Sequence, residues 1–130
     1  MIGAFAGVKV MLCLAPTDMR CGFDGLANRV RNHLDDDPLS GTLFVFRGRD
    51  GSRLKILYWD RDGYAIWAKR LEAGTFKFPQ TIPPGGSRLL VSPADLSMLL
   101  DGVDLASIKR RKRYALPKLE SGAEKSSKIP

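Results

Sequence analysis

The sequence predicts an α+β domain: a mostly antiparallel β-sheet meander carrying two main helices, followed by a basic, flexible C-terminal arm. Three observations predict it. Two Asp-Gly turns, Asp50-Gly51 and Asp62-Gly63, separate runs of alternating apolar and polar residues, a strong local hairpin signal. One segment before this region and one after it carry apolar residues at helical spacing. The excess positive charge lies behind both.

The first element is a strand over Val8–Leu14, rich in apolar residues and ended by Pro16. Thr17-Asp18 then offers an N-cap pair for a helix. Phe23, Leu26, Ala27, Val30 and Leu34 give that helix its apolar side, with Arg29, Arg31 and Asn32 opposite. Asp35-Asp36-Asp37-Pro38 stops it, because acids at a helix C-terminus oppose the macrodipole. A short strand over Leu43–Arg47 leads to the turn Arg49-Asp50-Gly51. Leu54–Trp59, the turn Asp60-Arg61-Asp62-Gly63 and Tyr64–Leu71 continue the meander. In both turns Asp-Gly is expected to supply the positive φ. Gly74 punctuates the chain before a further strand over Thr75–Phe78. A Pro/Gly loop covers Pro79–Gly86, and Arg88–Val91 is a last short strand. Ser92-Pro93-Ala94-Asp95 starts a helix: Ser92 can cap, Pro93 fits the first helical position, and Asp95 meets the helix dipole. Leu96, Leu99 and Leu100 form its apolar side and Gly102 stops it.

The chain has 130 residues, 44% of them hydrophobic, which suits one compact domain over residues 1–108 and a tail over 109–130. No apolar run approaches the roughly 18 residues that span a membrane. No basic n-region precedes the apolar N-terminal stretch, so a cytoplasmic protein is expected. Cys13 and Cys21 have no metal-ligand spacing and are expected to pack as free thiols.

Charge divides the chain unevenly. Residues 1–108 hold 13 Lys/Arg against 12 Asp/Glu, a net +1, whereas residues 109–130 hold 8 against 2, a net +6. The run Lys109-Arg110-Arg111-Lys112-Arg113 has the density of cations that neutralises phosphates and releases counterions, and Tyr114 could stack on an unpaired base. Within the hairpin region, residues 43–78 hold eight cations against four acids, interleaved with aromatics from Phe44 to Phe78. Residues i and i+2 share a strand face, so one face could be aromatic core and the other a basic surface. Arg47, Arg49, Lys69 and Arg70 are the candidates for that surface.

Catalysis finds little support. Asp18, Asp24, Asp60 and Asp62 could hold a divalent cation in principle, but Asp60 and Asp62 fall in a turn and Asp18 in a cap. His33, the only histidine, has no nearby Cys partner. There is no phosphate-binding glycine loop and no nucleophile in a triad context. No metal and no cofactor are expected.

Three ordered motifs carry a family resemblance. They are Thr17-Asp18-Met19-Arg20 with Gly22-Phe23-Asp24-Gly25-Leu26-Ala27; Leu43–Arg49 with Lys55–Asp60 and Gly63; and Lys69-Arg70-Leu71-Glu72 with Gly74, Phe76 and Pro79. Together, over about Val8 to Tyr114, they resemble the TnpB accessory protein of IS66-type bacterial insertion sequences, which is distinct from the RNA-guided nuclease that shares the name. The resemblance implies a small protein encoded beside a larger transposase, which holds the catalytic carboxylates. Its expected partners are DNA, the transposase and other accessory proteins of the element, with no membrane.

The functional expectation is therefore a non-catalytic DNA-contacting factor. Arg47, Arg49, Lys69, Arg70 and Lys109, Arg110, Arg111, Lys112 and Arg113 would touch phosphates, which positions a protein but reads little sequence. The alternative is a protein–protein adaptor for the transposase that binds no DNA itself. A metal-dependent nuclease is a third reading without a visible ligand set.

Overall fold

Val10-Met11-Leu12-Cys13 offers no polar side chain to either face, so a strand built from it belongs at the centre of a sheet covered on both sides. The protein places it there. A computed structural model describes residues 7–79 and 87–102. Along the chain they form β1 (Val10–Cys13), α1 (Phe23–His33), β2 (Leu43–Arg47), β3 (Arg53–Asp60), β4 (Gly63–Arg70), β5 (Arg88–Val91) and α2 (Pro93–Leu100). The five strands form one sheet in the order β4-β3-β2-β1-β5.

Three of the four strand pairings are antiparallel, and β2-β3-β4 is the expected meander. The exception is β1 against β2, which run parallel with Val10 opposite Leu43 and Cys13 opposite Phe46. Parallel neighbours need a crossover, and α1 is that crossover. Each face of the sheet has its own core. Leu26, Ala27, Val30 and Leu34 of the α1 segment pack on Met11, Cys13, Phe44, Phe46 and Leu57. On the other face Leu96 and Leu99 of α2, with Phe76 and Phe78, pack on Val10, Leu12, Val45, Leu54 and Ile56. Both faces of the central strands are therefore core. An aromatic face backed by a basic one is not how the sheet is built, and the cations of the described strands lie at strand ends, on the outer strand β4 or, for Lys55, half-buried within β3.

Several expected elements change in detail; β3 runs Arg53–Asp60 where Leu54–Trp59 is expected. The first strand is shorter than Val8–Leu14, and the strand expected over Tyr64–Leu71 is shifted to Gly63–Arg70. Thr17-Asp18 does not cap α1. Its N-cap is Gly22, which has no side chain to offer, and residues 14–21 form a loop of their own. Thr75–Phe78 is not a strand. Its i, i+2 aromatics are satisfied by burial under the sheet, while β3 and β1 already pair with β4 and β5. Phe76 N–H instead donates to Gly51 O at 2.9 Å. At the β3–β4 turn, Asp60 opposes Gly63, so only Arg61 and Asp62 turn the chain. The positive φ there is +58° on Arg61, whereas Gly51 carries +79° as expected of an Asp-Gly turn.

The ends of α1 and α2 fit their sequences. Asp35, left-handed at φ +52°, ends the α1 segment, and Arg88 Nη1 donates to Leu34 O at 2.6 Å, a cation at the helix C-terminus. Ser92 and Asp95 form a reciprocal capping box at the start of α2. Cys13 and Cys21 are free thiols. No described helix is long and apolar enough to cross a membrane.

Candidate nucleic-acid interface

The turn between β2 and β3 closes tightly: Gly48 N–H donates to Arg53 O at 2.9 Å and Gly51 N–H to Gly48 O at 3.1 Å. The loop before α1 is pinned beside it by Thr17 N–H, which donates to Arg47 O at 2.9 Å. Gly48 allows this approach, since a Cβ there would lie 2.9 Å from Met19 Cγ. Between loop and turn lies an open cleft of about 590 Å³, lined by Thr17–Arg20, Gly48–Asp50, Ser52, Arg53 and Arg70. A second hollow of about 420 Å³ shares Met19, Arg53 and Arg70 and extends along β3 and β4 past Lys55 and Lys69 to Glu72. The two adjoining hollows, taken together as a groove, are lined by six cations, Arg20, Arg49, Arg53, Lys55, Lys69 and Arg70, against three carboxylates, Asp18, Asp50 and Glu72, with Lys69 on the strand face opposite to Arg70.

Those carboxylates are engaged locally. Arg20 donates to both oxygens of Asp18, the shortest contact being 2.7 Å. The side-chain hydrogen bond from Arg20, helped by its backbone N–H, holds the Asp18 carboxyl at about 2, below its ordinary value of 3.8. Asp50 accepts from the backbone N–H and then the hydroxyl of Ser52, both at 3.0 Å, which lower its pKa. Glu72 accepts from Arg70 Nε at 3.1 Å, with both side chains well exposed. Lys55 Nζ donates to Cys21 O at 2.9 Å. Among the described residues Arg49 and Arg53 form no ion pair. Arg53 and Arg70 are direct cross-strand partners, two like charges placed opposite each other.

Of the residues singled out from sequence, Arg49, Lys69 and Arg70 line this groove, and all three are exposed. Arg47 does not line it. Its Nε and Nη2 donate to Leu14 O at 3.1 and 2.9 Å, and its guanidinium lies 5.9 Å from the Phe78 ring centroid. Lys109, Arg110, Arg111, Lys112 and Arg113 lie outside the described residues. Sequence reasoning passed over Arg20, which sits in a loop read as a helix cap, and over Arg53 and Lys55. The available signal was Arg53 and Lys55 sharing one strand face right after the Asp-Gly turn. Asp18, Asp24, Asp60 and Asp62 do not converge, and the described residues contain no cluster of three metal-ligating side chains.

The groove joins parts of all three sequence motifs: Thr17–Arg20, Gly48-Arg49 with Lys55, and Lys69-Arg70 with Glu72. The model of the family described as IS66 Orf2 like protein matches residues 8–110. The chain belongs to this family. It is 45% identical over 104 residues to the uncharacterized protein y4hO of Sinorhizobium fredii, covering 80% of this chain and 88% of that one. It is 39% identical over 111 residues to the uncharacterized protein y4jC of the same organism, covering 85% and 92%. No solved structure matches. Family membership makes the protein an accessory component of bacterial insertion-sequence transposition.

Proposed function

We propose that this IS66 Orf2-like protein is a non-catalytic factor that holds DNA by its phosphate backbone during transposition. Two cationic parts contribute, the groove formed by Arg20, Arg49, Arg53, Lys55, Lys69 and Arg70, and the run Lys109–Arg113. The observation that carries the proposal is the groove itself. It gathers six cations from three separate chain segments, and its carboxylates are held by local donors. Arginine is the side chain best matched to phosphate, because its planar fork donates two parallel hydrogen bonds. Such contacts fix register and orientation rather than read bases.

The test is a titration of purified full-length protein against element-end duplex and random duplex at two salt concentrations, with and without the transposase. Binding to both duplexes is expected, weakening steeply with salt. Neutralising the five-residue run should flatten the slope of log K against log salt by up to about 4 units. Absence of any shift at low salt, together with co-purification of the transposase, would favour the adaptor reading. That reading has one structural observation of its own: Leu90, on edge strand β5, is 54% exposed.

A further inference from the structure

We infer that the cleft between the Thr17–Arg20 loop and the β2–β3 turn seats a single phosphate group, held by Arg53, Arg70 and the Thr17 hydroxyl. The inference rests on the DNA-contacting reading for the origin of that phosphate, a nucleic-acid backbone.

Three independent observations converge on the cleft. Arg53 and Arg70 face each other across the β3–β4 ladder, and like charges in directly opposed positions destabilise a sheet. An anion bound across the two forks reverses the sign of that interaction. Thr17 is 3% exposed, and its hydroxyl oxygen is buried with no hydrogen-bond partner among the described residues, yet the residue lines this cleft. Buried hydroxyls almost always have a partner, and a phosphate oxygen accepts the hydrogen bond this one can donate. Finally, the two carboxylates in the cleft are engaged: Asp18 by Arg20, and Asp50 by the backbone N–H and hydroxyl of Ser52. Arg49, without an ion pair among the described residues, stands at the rim. Among the described residues the one ion-pair competitor is Glu72 on Arg70, and a pair this exposed is readily exchanged.

The arrangement makes an unusual demand on stability. Without an anion the Arg53–Arg70 repulsion is offset only by the exposed Glu72 pair, and the Thr17 hydroxyl has no partner among the described residues, so removing a ligand group should leave the anion-free protein as stable or more stable. Thermal unfolding of the full-length protein in inorganic phosphate and in chloride, at matched pH and ionic strength, reads this directly. Phosphate should raise the wild-type midpoint above that in chloride by about 4 °C. Arg53→Gln should melt no lower than wild type in chloride and lose most of the rise. Thr17→Val, which keeps the shape of the side chain, should behave the same way. Arg61→Gln, at the far end of the hairpin, should keep the full rise and so controls for the loss of an arginine, while the rise that remains in Arg53→Gln and Thr17→Val reports the generic effect of phosphate on burial. An equal rise in wild type, Arg53→Gln and Thr17→Val overturns the phosphate seat.

A parallel titration with duplex DNA separates the two readings. DNA binding that persists in wild type without a variant-sensitive phosphate rise sinks the seat and leaves the DNA reading standing on other cations. A variant-sensitive rise in a protein that ignores DNA at low salt keeps the seat for free phosphate and sinks the DNA reading.

Discussion

Arg47 and Arg49 are two residues apart, and the structure uses them differently. Arg47 is half-buried and holds Leu14 O with two nitrogens while stacking near Phe78. Arg49 is exposed at the rim of the basic cleft. Arg47→Gln should therefore destabilise the fold by about 1–2 kcal/mol, the sum of a lost hydrogen bond and a lost cation–π contact, measured by urea unfolding. Arg49→Gln should leave the urea midpoint unchanged and reduce the DNA salt slope by about 0.9. Equal effects of the two on both measurements would contradict this division. Asp18 offers a second residue-scale test. Its folded pKa of about 2 lies below the ordinary 3.8, so the ionised carboxylate favours the fold above 3.8 and that contribution is lost as pH falls toward 2. Carboxyl NMR titration should give the low midpoint in wild type and a return toward 3.8 in Arg20→Gln. A midpoint unmoved by that substitution would mean the Arg20 contact does not form in solution.

At the scale of elements, turns and caps decide how the cleft is held. The capping box on α2 satisfies two donors at once, so Ser92→Ala should cost about 1 kcal/mol in urea unfolding. Gly51 needs its positive φ and also packs against Thr75, whose Cβ would lie 3.1 Å from an added Cβ. Gly74 has the same φ of +79° but nothing within 4 Å. Gly51→Ala should therefore lower the melting temperature further than Gly74→Ala, and equal losses would show that conformational strain alone matters. Strands β2 and β5 and the α2 start were legible in the sequence, because each sits between unambiguous turn or cap residues. The parallel pairing of β1 and β2 was not. Strand direction depends on whether α1 carries the chain back to the end of the sheet where β1 began, and periodicity alone carries no such information. The segment around Phe76 read as a strand because alternation reports burial on one side, which a loop pressed under a sheet also achieves. Thr17-Asp18 read as a cap because its residue types suit one, whereas the chain makes another turn before reaching Gly22.

For the whole molecule, the question is how a body with nearly balanced charge comes to present a positive groove. The sequence shows only the sum, 13 cations against 12 acids over residues 1–108. Folding sorts them: Arg20, Arg49, Arg53 and Arg70 converge on one cleft from three separate chain segments, and its carboxylates are locally engaged. Arg49, Lys69 and Arg70 were legible as candidates from their place in the hairpins. Arg20 and Thr17 were not, since only the tertiary approach of loop to turn brings them in. Both cationic parts should act on the same polyanion, because counterion release adds over contacts regardless of which segment makes them. The decisive measurement is the slope of log K against log salt for duplex DNA. It compares full-length protein with the triple variant Arg49→Gln, Arg53→Gln, Arg70→Gln. A groove that holds phosphates predicts a slope shallower by about 1.8 in the variant, from the phosphate at Arg49 and the one shared by Arg53 and Arg70, at about 0.9 each. An identical slope in the two proteins would contradict it.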